Sequence, residues 1–349
     1  MFIGLLIAII FLFLLSRTTN NRSKRNLCFS LTLILLILFN ALKDYSLFPD
    51  QENYANMLET LDFEFGRVNV GYVILNTLVH SIWNNYSFLT FICATWVISS
   101  YATIIRKYSP YPWLSLFIFI IVNYILSLTL VRQYLAMSFV LLATKCVIER
   151  KQLLFILYIL IASTFHTTAI IAFPLYYIYG LDNTKFNRTL IIIGTIGAIL
   201  IFRIVVLRVL GVYITAYQNY TDNIHVNESG IATWPRAIMK IFILGVYMYS
   251  MGKRVMETGI NRFVYIEMLI SVVICAGGIG LFGMFRLKEF FALSDIIGIP
   301  LIVQQTKQMS SIKKLAVKSM VLVYIILLII SFARAYNDNF EFGYQFIWQ

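Results

Sequence analysis

Three cationic or titratable side chains stand in sequence that is otherwise built for lipid. Arg132 opens the apolar run 133–148, Arg286 lies in 284–290 between two other apolar runs, and His166 interrupts the apolar stretch 153–179. A guanidinium offers a planar fork of donors that matches phosphate oxygens two at a time. An imidazole can take a proton from a hydroxyl or donate to a phosphate oxygen. Arg132 and Arg286 fall where helices begin, at the end of the backbone dipole that is already positive. A cation there is unfavourable until an anion joins it, and then both terms change sign. The expectation is an anion site, facing outward on the topology derived below, for a phosphorylated lipid. The plainer alternative for each arginine is a side chain snorkelling to lipid headgroups.

A second tier of candidates surrounds these. Arg203 and Arg208 are five residues apart and point different ways on a helix; Arg203, the deeper, needs a partner, and Asp295 is one. Lys288 could contact the ligand beside Arg286 or pair locally with Glu289. Asp50, Glu52 and Glu64 sit in an acidic interval, where they could bind sugar hydroxyls or a divalent cation, or act as the base. Solvated loop acids are the alternative. Tyr220 and Tyr344 could stack on sugar rings or belong to an interfacial aromatic belt. No phosphate-binding glycine loop, zinc motif or nucleophile elbow occurs, and the Gly277-Gly278-x-Gly280 cluster reads as close helix packing.

The elements that must position these groups are membrane helices. Of 349 residues, 60% are hydrophobic and 13% charged, with a mean hydropathy of +0.81, and runs long enough to span lipid recur along the whole length. The composition excludes a soluble domain. The net charge of +12 does not call for nucleic acid, because Lys and Arg cluster in short loops, as topology signals do. Cys28, Cys93, Cys146 and Cys275 fit no metal or disulfide pattern and read as buried small apolar residues.

Taken in order, apolar runs are expected at 2–15, 27–42, 86–105, 112–130, 133–148, 190–209, 236–251, 263–282, 285–303 and 315–332, and the stretch 153–179 supplies two short helices meeting at His166. Each half of that stretch reaches about 20 Å of a roughly 30 Å hydrocarbon core. The first run has no basic residue before it and four after it, the reverse of a cleaved signal peptide, and is expected to be retained. The result is an all-α polytopic bundle of about twelve segments, read as a single membrane domain over 1–349. Basic ends at 17–25, 106–107 and 150–151 mark the cytoplasmic side. Both termini are then outside, as are an acidic loop with an interfacial helix at 43–85 and a second loop at 211–235. The absence of an internal repeat disfavours a transporter.

The segment Leu130-Val131-Arg132-Gln133-Tyr134-Leu135-Ala136, followed by Thr164-Phe165-His166-Thr167-Thr168-Ala169, resembles the EpsG family of Wzy-type polysaccharide polymerases. That family carries an arginine–x–x–leucine–alanine element opening one span and a phenylalanine–histidine pair in a later one. The resemblance extends to Asp50-Gln51-Glu52-Asn53-Tyr54, to Gly71-Tyr72, to Arg286-Leu287-Lys288-Glu289-Phe290-Phe291 and to the aromatic end Phe342-Gly343-Tyr344-Gln345-Phe346. The family's basic–x–x–tyrosine–phenylalanine element is replaced here by one ending Glu289-Phe290-Phe291.

The resemblance implies a glycosyltransferase, with a GT-C-like architecture among its candidate arrangements. It would act on the outer face of the bacterial inner membrane, polymerising oligosaccharide repeat units carried on undecaprenyl pyrophosphate for an O-antigen, capsule or exopolysaccharide. Arg132, His166, Arg286, Asp50 and Glu52 would then form the reacting centre, with Arg208, Arg203, Lys288, Glu64, Tyr220 and Tyr344 binding substrate. Because pyrophosphate is a good leaving group, no cofactor is expected, although a divalent cation is compatible with the chemistry. The expected partners are the lipid-linked oligosaccharide, membrane lipid and a chain-length regulator protein, with no nucleic acid. A flippase for the same lipid-linked oligosaccharide and a glycan ligase are the alternative functions.

Overall fold

Where water is excluded, a chain must satisfy its N–H and C=O groups internally, and the helix does this within one segment. The apolar runs accordingly fold as helices, and no strand occurs among the described residues. The computed structural model describes residues 2–48, 50–63, 68–181, 194–205, 229–257, 259–279 and 284–339. The chain divides into two compact units: one of Met1–Ala143, Leu153–Ile170 and Leu328–Gln349, the other of Thr144–Gln152 and Ile171–Leu327.

The first unit opens with α1 (Phe2–Thr18) and α2 (Arg22–Ala41), separated by a cap in which Asn21 Oδ1 accepts from Ser23 N–H at 2.8 Å. Two short helices follow, α3 (Gln51–Thr60) and α4 (Val70–Ile82), then the long α5 (Tyr86–Tyr108), capped by Asn85. Next come α6 (Pro112–Phe119), a π turn over Ile120–Tyr124, α7 (Ile125–Thr129) and α8 (Val131–Ile148). The core lies where α2, α5 and the α6–α7 run meet: Leu36, Leu89, Ile105, Phe119 and Tyr124 are fully buried there, and the Tyr124 hydroxyl donates to Leu36 O at 2.6 Å. Along α4, Val70, Ile74, Leu78 and Ile82 recur every fourth residue and are exposed, while Tyr72, Asn76 and Val79 are buried. One apolar stripe turned outward is the pattern of a helix lying in the membrane interface.

The expected break in 153–179 is present. The helix α9 (Gln152–Phe165) stops one residue before His166, a 3-10 turn covers Thr167–Ala172, and α10 (Pro174–Gly180) begins on Pro174. Proline suits a first helical position because its missing N–H has no partner to lose there.

In the second unit α10 is held by two cations: Arg150 donates to Tyr176 O at 2.6 Å, and Arg262 donates to Leu181 O. Four more helices follow, α11 (Gly194–Val205), α12 (Ser229–Met251), α13 (Ile260–Gly277) and, after a 3-10 segment Met284–Phe291, α14 (Leu293–Ile296). The last two are α15 (Gly298–Gln305) and α16 (Ser311–Asn339), of which the part from Leu328 on is assigned to the first unit. The Gly277 reading holds: a Cβ there would lie 2.8 Å from the Phe202 ring and 3.1 Å from Ile199 O, so α11 and α13 approach at van der Waals limit. Lys240 on α12 is salt-bridged to the buried Asp295 Oδ2 at 2.5 Å, and the Tyr324 hydroxyl donates to Asp295 Oδ1 at 2.9 Å.

Six of the described helices are long and apolar enough to cross a membrane: Arg22–Ala41, Tyr86–Tyr108, Pro112–Thr129, Val131–Ile148, Ile260–Gly277 and Ser311–Arg334. The last is only 22% buried, so most of its apolar surface needs lipid. Among the described residues the twelve expected segments reduce to these six and several shorter apolar helices. The run 285–303 is not one helix but three pieces; within it Asp295 is paired with Lys240, and Gly298 packs against Met268 and Val264, where a Cβ would come within 2.5 Å.

Candidate functional site

Arg132 lies in the first turn of α8, as expected, because the helix restarts at Val131 immediately after Leu130. Its surroundings come from two segments far away in sequence. The Nε–H donates to the Tyr54 hydroxyl at 3.1 Å, and the guanidinium carbon lies 5.1 Å from the Tyr54 ring centre and 6.0 Å from that of Tyr72. The two rings meet edge-on at 5.5 Å. Cation–π attraction and the directional bond to Tyr54 orient the fork. Burial pushes the Tyr72 hydroxyl well above the ordinary tyrosine pKa, so it stays neutral beside the cation.

Each ring is delivered by its own helix. Tyr54 is on α3, whose buried face is Gln51, Tyr54 and Leu58. Its Leu58 carbonyl accepts from His80 Nδ1 at 2.8 Å, which binds α3 to α4. Tyr72 is on α4, and its neighbour Gly71 is required by a close approach: a Cβ there would stand 2.3 Å from Thr164 Oγ1, near the end of α9. Two residues on, the chain leaves the helix at His166. Its Nδ1 is 2.6 Å from Thr168 Oγ1, and its backbone N–H donates to Ala162 O at 3.0 Å. The turn therefore holds the ring from one side, and His166 remains partly exposed.

Asp50 and Glu52 are both exposed on the same unit as Arg132. Asp50 takes left-handed backbone geometry at φ 63°, ψ −9° to turn the chain into α3, and makes no side-chain cap bond. Such a conformation is strained for a residue with a Cβ, although Asp tolerates it better than most. Glu52 sits in the first turn of α3, where an acid also favours the helix dipole.

In the second unit the candidates stand differently from expectation. Arg286 is exposed, in the 3-10 segment rather than at the start of a membrane-length helix, so the dipole argument made for it does not apply. Lys288 is ion-paired with Glu289, the local pairing anticipated as its alternative. Arg203 does not pair with Asp295, whose carboxylate is taken by Lys240 and Tyr324. Its Nη1 donates instead to Ile279 O at 2.8 Å and Gly277 O at 3.3 Å, at the end of α13, where a cation meets the negative end of a helix. Glu64, Arg208, Tyr220 and Tyr344 lie outside the described residues, as does most of the loop 211–235.

The structure thus gathers Tyr54, Tyr72, Arg132 and Thr164, and through them four of the stretches quoted for the resemblance. It adds residues to which sequence reasoning assigned no role: Tyr54, Tyr72, Gln51, Lys43 and Lys240. Lys240 carried the clearest overlooked signal, a cation inside the apolar run 236–251. All four cysteines are buried and free.

No curated protein and no solved structure matches the chain. A family model does match it, over residues 45–346, a span that includes the Arg132 cage and the His166 turn. The chain therefore belongs to the EpsG family, a family of Wzy-like polysaccharide polymerases.

Proposed function

We propose that this membrane protein joins oligosaccharide repeat units carried on undecaprenyl pyrophosphate, at the outer face of the bacterial inner membrane. The observation that carries the reading is the Arg132 guanidinium, held in plane by Tyr54 and Tyr72 at the start of α8. The growing glycan passes from its lipid carrier to the non-reducing end of a new lipid-linked unit. A bond forms between the anomeric carbon and the acceptor oxygen, and the bond from that carbon to the pyrophosphate oxygen breaks. The acceptor's proton passes to a base, and His166 on its turn or an outer-loop acid such as Asp50 or Glu52 fills that role. The leaving pyrophosphate gathers negative charge as the bond breaks, and the planar fork of Arg132 is suited to neutralise it.

The clamp makes a sharp demand on side-chain type. Lysine keeps the charge of arginine but not the planar fork or its stacking on aromatic rings. Arg132→Lys is expected to abolish polymer while protein levels stay normal, measured on the surface glycan of cells carrying the variant. Near-normal polymer from that variant would remove the basis of the reading.

A further inference from the structure

A helix running on through Leu130 would commit the carbonyls of Leu128 and Thr129 to the N–H groups of Arg132 and Gln133. Leu130, at φ −93° and ψ 55°, leaves helical geometry. The ladder resumes only with Tyr134 N–H donating to Leu130 O at 3.0 Å. The two carbonyls are buried, and unpartnered they would be costly. They are met instead by side chains from one distant segment. Lys43 Nζ donates to Leu128 O, and Gln51 Nε2 donates to Thr129 O at 2.7 Å. Both side chains are buried, Gln51 completely. Gln51 is itself fixed, because its Oε1 accepts from the Tyr86 hydroxyl at 2.8 Å, and Lys43 is fixed by Asn40 Oδ1 at 3.2 Å and the Phe48 ring.

Gln51 and Tyr54 are three residues apart on α3, so they share a face. That one face grips both sides of the break: Gln51 the carbonyl end of α7, Tyr54 the guanidinium at the start of α8. The left-handed turn at Asp50 aims the face.

We propose that Gln51, assisted by Lys43, is a positioning residue for Arg132: it holds open the α7–α8 break that makes Arg132 the beginning of a helix rather than its interior. Without the competing donors the carbonyls of Leu128 and Thr129 recover the N–H groups of Arg132 and Gln133. The helix then closes, and the guanidinium rotates away from Tyr54. The consequence for function rests on the pyrophosphate reading above, but the consequence for the backbone does not.

The test uses the full-length protein in lipid nanodiscs and two variants. Gln51→Met keeps length and volume but removes the donor, and Tyr86→Phe loosens Gln51 without touching it. Amide hydrogen exchange at Arg132 and Gln133 is expected to slow about tenfold in Gln51→Met and less in Tyr86→Phe, because a closed helix protects those amides. A merely structural role gives the opposite sign, since a loosened site exchanges faster. Unchanged or faster exchange at both amides in both variants overturns the proposal. Binding of farnesyl pyrophosphate, a short polyprenyl pyrophosphate, is expected to weaken about tenfold in Gln51→Met, one hydrogen bond's worth. Slower exchange with unaltered binding would show that Gln51 shapes the backbone without positioning Arg132, and would also overturn it. If instead Arg132→Lys binds farnesyl pyrophosphate as wild type does, the pyrophosphate reading fails, while the exchange result still decides the role of Gln51.

Discussion

At the scale of single residues, the Arg132 guanidinium is held against the Tyr54 and Tyr72 rings. Tyr54→Phe keeps the ring under Arg132 and removes only the oxygen that accepts from Nε. The expected cost is about 1 kcal/mol of pyrophosphate affinity, roughly five- to tenfold, with folding intact; equal affinity would show that the bond does not orient the fork. Lys43 gives a pH dependence. Burial lowers its pKa from the ordinary 10.5 to about 7. The groups facing it are Asn40, the Leu128 carbonyl, the Phe48 ring and the Cys93 thiol. Between about 7 and 10.5 the unfolded chain holds a proton that the folded one has released, so stability rises with pH across that window. The thermal midpoint should therefore climb from pH 7 to pH 9 in wild type and climb less in Lys43→Met. Arg132 and His166 stood out in the sequence because a polar, cationic or titratable side chain in an apolar run calls for a partner or a route to the interface. Gln51 did not, because its partners, Thr129 and Tyr86, are fixed only by the fold.

At the scale of elements, function depends on where helices stop. The break at His166 could be read from threonines in the middle of a stretch too long for one span. The break at Leu130 was also expected, where the runs 112–130 and 133–148 meet at Arg132, but nothing in Leu128-Thr129-Leu130-Val131 is a helix breaker, and the donors that meet Leu128 O and Thr129 O come from another segment. Apolar composition likewise suggested one helix over 285–303, where the structure has three pieces. Two substitutions test these joints. Gly71→Val places atoms inside Thr164, so α4 must move off α9 and take Tyr72 from Arg132. A loss of about 1–3 kcal/mol in stability is expected, with polymer yield falling further than protein level. Lys240→Met leaves Asp295 buried and uncompensated, with an expected cost of about 3–5 kcal/mol. Lys240→Met combined with Asp295→Leu should recover most of it; a double variant as unstable as the single one would mean that the pair is not what costs.

At the scale of the whole molecule, apolar helices and clustered basic loops identified a membrane protein directly, whereas the count of spans did not follow from composition. Length alone cannot separate a spanning helix from one lying in the interface, as expected of α4, or a continuous helix from an apolar run in several pieces. The outward orientation is an expectation drawn from the bias of Lys and Arg, and it has its own test. A cysteine introduced at Asn219, in the second expected outer loop, should react with an impermeant thiol reagent in intact cells. Labelling only after lysis would invert the topology and with it the outward face of the Arg132 site. The central claim, that the chain polymerises lipid-linked repeat units on that face, is tested most directly by deleting the gene in its host and analysing the glycan left on the lipid carrier. The account predicts single repeat units accumulating on the outer face with polymer absent. Units trapped on the cytoplasmic face, as loss of a flippase would leave them, or full-length polymer stranded on the carrier, as loss of a ligase would, would contradict it.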